Sequence, residues 1–204
     1  MIPKTFHLIW VGDSPLPAYA VENRNKLIAL HPKWEICFWE EHDGVLSCGA
    51  SKPTTTRHPD LMKRACHPVQ RANIWRLEVL YKYGGVYMDM DIEPLAAMDQ
   101  ALEGSKAAVS RMFHSDQVHN NSFMAAEPHH PWMKYALESI AFCDPNNVPS
   151  MSGMHMTNVV HRHPDVTVLG KWVIVQDPAW PYQKRELPKQ TVAVHHFAGS
   201  WKGA

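Results

Sequence analysis

Hydrophobic positions along the chain switch between two periods. Phe6 to Val11 is a short apolar run of aromatic and β-branched residues, the pattern of a buried strand. Tyr19 to Leu30 carries helical spacing in Val21, Leu27, Ile28 and Leu30, and His31-Pro32 stops it. Trp34 to Trp39 predicts a second strand. Pro68 to Tyr83 predicts a helix: proline is tolerated at a first helical position, Leu77 and Leu80 are spaced for packing, and Gly84-Gly85 ends it. Later strands are predicted at Ala107–Arg111, Ser122–Ala126, Val166–Leu169, Trp172–Val175 and Thr191–His195, with helices over Pro131–Phe142 and Met154–His161. Residues 41–67, rich in Gly, Ser, Thr and Pro, predict a long loop or partly helical insertion, a length often used for lids and binding loops. Strands alternating with helices predict one α/β domain over residues 1–204, a mostly parallel central sheet flanked by helices.

The chemistry concentrates after the glycine pair, in Gly84-Gly-Val-Tyr-Met-Asp-Met-Asp91. Side chains alternate along a strand, which predicts Asp89 and Asp91 on one face and Met90 on the other. Two carboxylates together suit a hard divalent cation, Mg²⁺ or Mn²⁺, that shares oxygen ligands with phosphate. Asp-x-Asp alone is common, and the competing reading is a strand end with solvated carboxylates. The preceding helix strengthens the metal reading, because Asn73 and Arg76 are three apart and can face one cleft.

The segment from Ala72 to Leu95, ANIWRLEVLYKYGGVYMDMDIEPL, closely resembles the Asp-x-Asp region of glycosyltransferase family 32. Ile2 to Gly12 resembles the family's opening strand, Asn121 to Pro131 an internal segment, and His195-His-Phe-Ala-Gly-Ser-Trp201 its closing loop. The resemblance implies a GT-A-type fold and a retaining, metal-dependent transfer of a hexose from a nucleotide sugar, UDP-glucose or a close analogue. It implies that Asp89, Asp91 and Arg76 serve catalysis, and that Asp89 and Asp91 hold the metal with one histidine or Ser200 completing the shell, His195 being preferred to His196. Trp10 would stack on the nucleotide base, where simple core packing is the rival role. Asn73, Arg76 and Asp89 would bind the donor, and Ser200 and Trp201 would lie over its phosphates. Where the family pattern has Ser-Asp, this chain has Ala72-Asn73, so an uncharged amide stands in place of the sugar-binding acid. Ser152-Gly153-Met154 is likewise a loose match to the family's Thr-Gly-Pro.

Bulk properties narrow the setting. At 204 residues with 45% hydrophobic and 20% charged residues, the composition is that of an ordinary globular protein. No apolar run is long enough to span a membrane and no leader pattern opens the chain, so a cytoplasmic location is expected. The four cysteines lack zinc spacing and read as reduced, mostly buried thiols. Fourteen histidines are many, but the adjacent pairs diverge along a strand and the rest read as structural. The zero net charge hides an asymmetry: Lys52 to Arg76 is basic and Glu78 to Glu103 acidic. Beside a saccharide acceptor, the family default, that basic stretch raises a second possibility, a hydroxymethylated base of viral DNA. A third reading is a catalytically silent nucleotide-sugar binding module, given Asn73.

Overall fold

The computed structural model describes residues 1–49, 52–115, 119–177 and 186–199. Strand β1 (Thr5–Trp10) leads through helix α1 (Ala18–Leu30) to β2 (Glu35–His42), which lies parallel beside it. Helix α3 (Pro68–Tyr83) then delivers β5 (Gly85–Met88), parallel to β1 on its other side. Between them come β3 (Val45–Cys48), β4 (Lys52–Thr55) and the short helix α2 (Pro59–Arg64). After β5 follow β6 (Ile92–Pro94), β7 (Ala107–Arg111), β8 (His119–Ala126), α4 (Pro131–Ser139), α5 (Gly153–Val160), β9 (Thr167–Val168), β10 (Ile174–Val175) and β11 (Ala193–His195). Eight strands form a central sheet in the order β4-β3-β2-β1-β5-β8-β7-β9, and β10-β11-β6 form a small second sheet.

The α/β class and the flanking helices agree with the sequence pattern, but the central sheet is mixed. Its parallel pairs are β1–β2, β1–β5 and β7–β9. The pairs β2–β3, β3–β4, β5–β8 and β7–β8 are antiparallel. One cause lies in residues 41–67, which are not an irregular insertion. Asp43 and Gly44 both adopt left-handed backbone, with φ of 51° and 75°, and His42 pairs with Val45 across them. That two-residue turn matches the strand twist and folds the segment into a hairpin.

Both faces of the central sheet are covered. Phe6, Leu8, Val86, Met88 and Phe123 pack on one side with Leu27 of α1. Ile9, Tyr87 and Met124 face the other, against Ile74, Leu77 and Leu80 of α3 and Trp132 of α4. Helix α3 is buried on nearly all sides, so its polar residues need partners. On β1 the fully buried His7 uses both ring nitrogens: its Nδ1 accepts from Trp39 Nε1 at 3.0 Å and its Nε2–H donates to Gly84 O at 2.8 Å. Burial pushes its pKa down to about 4, and the Trp39 donor occupies the position a second proton would take.

The α3–β5 junction requires its glycines. Gly84 and Gly85 have φ of 64° and 91°. A Cβ on Gly84 would lie 2.6 Å from Pro128 Cδ, and one on Gly85 would lie 2.6 Å from Thr5 O. The backbone therefore turns in the narrow space between β1 and the end of β8. Of the cysteines, all free, only Cys37 is buried; Cys48 and Cys143 are half-buried and Cys66 is exposed, fewer buried thiols than composition suggested. No helix among the described residues is long and apolar enough to cross a membrane.

Candidate active site

Beyond Met88 the chain leaves the sheet. The Asp89 N–H donates to Ser122 O at 2.7 Å and the Ile92 N–H returns to Asp89 O at 3.1 Å, closing a turn over Asp89 to Ile92. Asp89 and Asp91 therefore come together by a turn, not by the side-chain alternation of a strand. Strand β11 pairs antiparallel with β6 immediately after that turn and brings His195 opposite Ile92. Ligand atoms of Asp89, Asp91 and His195 lie within 4.8 Å of one another.

Each member of this group is held. Tyr87 Oη donates to Asp89 Oδ1, and Arg76 Nη1 lies 3.3 Å from the same oxygen. Arg76 in turn donates to Asn121 O at 2.8 Å and to Ala72 O at 3.2 Å, with its guanidinium 4.5 Å above the Tyr87 ring. Asp91 Oδ1 is 3.1 Å from His195 Nε2, and its Oδ2 accepts the Ala198 N–H at 2.9 Å. Electrostatics separate the two carboxylates. Burial raises the pKa of Asp89, the nearby Asp91 charge adds to this, and Arg76 opposes it. Burial also works against ionisation of Asp91, but the His195 contact and the Ala198 N–H outweigh it and hold its pKa below the usual carboxylate range. Burial carries the Tyr87 hydroxyl well above its ordinary value, so it remains a hydrogen-bond donor.

Arg76, Tyr87, Asp89, Asp91 and His195 line a cleft of about 910 Å³, and Trp10, Tyr19 and the loop Gly12–Ser14 line it too. Trp10 thus reaches the cleft, its indole N–H anchored on Ser14 O at 2.8 Å, rather than serving the core alone. Asn73 does not line the cleft. It is buried behind it, its Oδ1 accepting from Asn121 Nδ2 at 2.9 Å. Position 73 shares a helix face with Arg76, but Asn121 from β8 stands next to both. Ser200 and Trp201 lie outside the described residues. His196 turns away to Glu93, at 2.9 Å, in a surface chain with Lys26. Tyr87 and Gln176, which hold Asp89 and His195, carried no signal in the sequence beyond Tyr87's place two residues before Asp89.

The basic stretch is largely neutralised locally. Lys52 meets Glu35 at 2.5 Å, Lys63 meets Asp60 at 3.7 Å and Arg71 pairs with Glu41. Arg57 lies 3.9 Å from Glu78 and over the Tyr81 ring.

Residues 17–108, from the start of α1 into β7, match the family model described as the glycosyltransferase sugar-binding region containing the DXD motif. That match takes in helix α3, the glycine pair and the Asp89–Asp91 turn, and spans a little under half of the chain. The chain is 28% identical over 151 residues to the mannosyl phosphorylinositol ceramide synthase SUR1 of Saccharomyces cerevisiae, covering 71% of this chain and 36% of that protein. Over 201 residues it is 29% identical to inositol phosphoceramide mannosyltransferase 2 of Schizosaccharomyces pombe, covering 97% of this chain and 51% of that one. The chain thus spans about half or less of the length of these curated relatives. Among solved structures it resembles the PaToxG glycosyltransferase, with a TM-score of 0.60 and 16% identity over 79% of this chain and 69% of that one. It also resembles the galactosyltransferase LgtC, with a TM-score of 0.55 and 9% identity over 97% and 88% of the two chains. At such identities the likeness is one of fold, and the fold is the GT-A type.

Proposed function

We propose that this chain transfers a hexose from a nucleoside diphosphate sugar to an acceptor hydroxyl, using a divalent cation held by Asp89, Asp91 and His195. The observation that carries this reading is the convergence of those three ligand atoms in a cleft that Trp10 and Tyr19 also line. The donor set fits the ion: two carboxylates suit Mg²⁺ or Mn²⁺, and an imidazole nitrogen favours Mn²⁺ of the two. When bound, the cation supplies Lewis-acid neutralisation of the diphosphate leaving group. The protein's own residues do the rest. Arg76 and Tyr87 fix Asp89, the Ala198 N–H fixes Asp91, and the Trp10 and Tyr19 rings would give a nucleobase an apolar face. Asn73 would act through Asn121, not by touching the sugar. Ser200 and Trp201 remain assigned to the donor phosphates by resemblance.

Among the described cleft-lining residues the carboxylates are Asp13, Asp89 and Asp91. Two of these belong to the metal group and Asp13 lies on the exposed loop; retention of configuration is what the family resemblance implies. The names of the yeast relatives add mannose to the donors worth testing beside glucose, and inositol or saccharide hydroxyls to the acceptors. The ion pairs of the basic stretch disfavour a DNA acceptor. Incubating the protein with UDP- and GDP-activated hexoses and Mn²⁺, with and without inositol and oligosaccharide acceptors, tests the reading. Transfer products with one donor support it; an intact donor panel under all conditions overturns it.

A further inference from the structure

Gln176, which follows β10 and is fully buried, sits at the centre of a polar network that reaches the proposed metal site. Its Oε1 lies 2.6 Å from His195 Nδ1 and accepts from Asn120 Nδ2 at 3.1 Å. Its Nε2 donates to Ser122 Oγ at 2.8 Å and to Ser110 Oγ at 3.2 Å. The register shift between Val109 and Ser110 in β7 marks where that strand bends beside the network.

The hydrogen positions in this network follow from two backbone groups whose roles are fixed. The Ser122 N–H can only donate, and it bonds Asn120 Oδ1 at 3.0 Å. Asn120 therefore presents its NH₂ to Gln176, and the Gln176 atom that receives it is the oxygen. Independently, Asn120 O can only accept, and Ser110 Oγ donates to it at 3.4 Å. That leaves a Ser110 lone pair for the Gln176 amide nitrogen, which gives the same orientation. With Gln176 Oε1 already an acceptor, His195 Nδ1 must carry a proton, and the nitrogen facing Asp91 is Nε2. The ring plane is set as well, because Phe197 stacks on the imidazole with centroids 3.9 Å apart.

We infer that Gln176, oriented by Asn120, is a positioning residue that fixes the His195 tautomer so that the Nε2 lone pair serves the cation between Asp89 and Asp91. This rests on the metal-binding reading above. A buried network of this kind is costly unless every member is satisfied, and the residue it ends on is the one nitrogen ligand of the group. Outer partners that orient a ligating imidazole commonly alter metal affinity by about 10- to 100-fold when removed.

The test is the affinity for Mn²⁺ alone, read by the loss of the free-ion electron paramagnetic resonance signal, with circular dichroism melts as the folding control. Gln176→Leu removes the acceptor and is expected to weaken Mn²⁺ by about 10-fold or more. Gln176→Glu keeps an acceptor for both His195 and Asn120 and is expected to bind within about threefold of the parent, well short of a lost outer partner. Asn120→Asp, close to isosteric, still accepts the Ser122 N–H but offers Gln176 an acceptor. The Gln176 amide must then flip, its NH₂ faces His195 Nδ1, and Nδ1 rather than Nε2 becomes the ring nitrogen that cannot keep a proton. Weakening comparable to Gln176→Leu is expected, and these two near-isosteric variants carry the test if Gln176→Leu does not fold. A role confined to packing would cost Gln176→Glu, with its buried charge, at least as much as Gln176→Leu. The inference is overturned if Asn120→Asp binds as the parent does, or if Gln176→Glu is as weak as Gln176→Leu, while Asp91→Ala abolishes binding. If the parent protein takes up no Mn²⁺, or Asp91→Ala takes it up equally well, the metal reading itself has failed.

Discussion

Asp91 joins two parts of the site that are distant in sequence. Its carboxylate takes His195 and the Ala198 N–H, and its carbonyl accepts the His196 N–H at 3.0 Å, so one residue ties the closing segment to the turn. Asp91→Ala is expected to lower metal-dependent nucleotide release by at least about 100-fold, the scale of losing a preorganised electrostatic group. Tyr87→Phe removes only the hydroxyl that fixes Asp89 and is expected to cost about tenfold in kcat, with melts unchanged within a few degrees. His7 gives a stability prediction with a defined sign. Its folded pKa of about 4 lies below the ordinary 6.5, with Lys52 and Glu35 the nearest charges. Above pH 6.5 neither state binds the extra proton and stability is full. Between 6.5 and 4 the unfolded chain takes up a proton that the folded chain refuses, so stability falls as pH drops and levels off below 4. The largest possible loss is about 3 kcal/mol. Urea unfolding from pH 7.5 to 4 checks this, and His7→Gln, which can still accept from Trp39 and donate to Gly84 O, should make the profile shallower, with the share of His155, also held down to about 4 by burial, left in place. An unchanged slope would mean other groups set it. At this scale the Asp89–Asp91 pair was legible because carboxylates after a glycine stop are chemically distinctive, while His195, which the fold brings beside them, was picked out by family resemblance. Gln176 was not legible, because an isolated glutamine gives no sign that Asn120, Ser110 and Ser122 will surround it.

Among the elements, α3 was legible end to end. Pro68 and Gly84 bracket it, and both act through local backbone geometry that sequence records directly. Gly85→Ala places a Cβ 2.6 Å from Thr5 O at a left-handed φ, and is expected to destabilise by more than about 2 kcal/mol in chemical denaturation. A neutral result would mean that β1 can move aside. The hairpin of β2, β3 and β4 was missed although Asp43-Gly44 is a turn signal. Its later strands are four residues each, half exposed, and β4 contains Pro53, so their alternation is faint. The Asp-x-Asp pair was placed on a strand when the strand ends at Met88. The stop comes from the Asp89–Ile92 turn and its pairing with Ser122, a partner too distant in sequence to read.

At the level of the whole molecule, the site gathers the end of β1, helix α3, the turn after β5 and the closing strand β11, and only the fold brings them together. The mixed sheet follows from the same long-range pairing, since β8 inserts antiparallel between β5 and β7. Charge rearranges likewise: the basic stretch reads as a polyanion surface in sequence, but Glu35, Glu41 and Glu78 take up Lys52, Arg71 and Arg57. Binding to duplex DNA is therefore expected to be undetectable by fluorescence anisotropy near 0.15 M salt, and steeply salt-dependent binding would restore that acceptor. Mn²⁺ at about 100 times its dissociation constant should stabilise the fold by about 2.7 kcal/mol, lost on chelation. The most direct test of the central claim is release of free nucleoside diphosphate from a panel of UDP- and GDP-hexoses with Mn²⁺, in the parent protein and in Asp91→Ala. Release from one donor that stops with chelator and in the variant is the predicted result. Release that persists in Asp91→Ala or without metal would contradict the account.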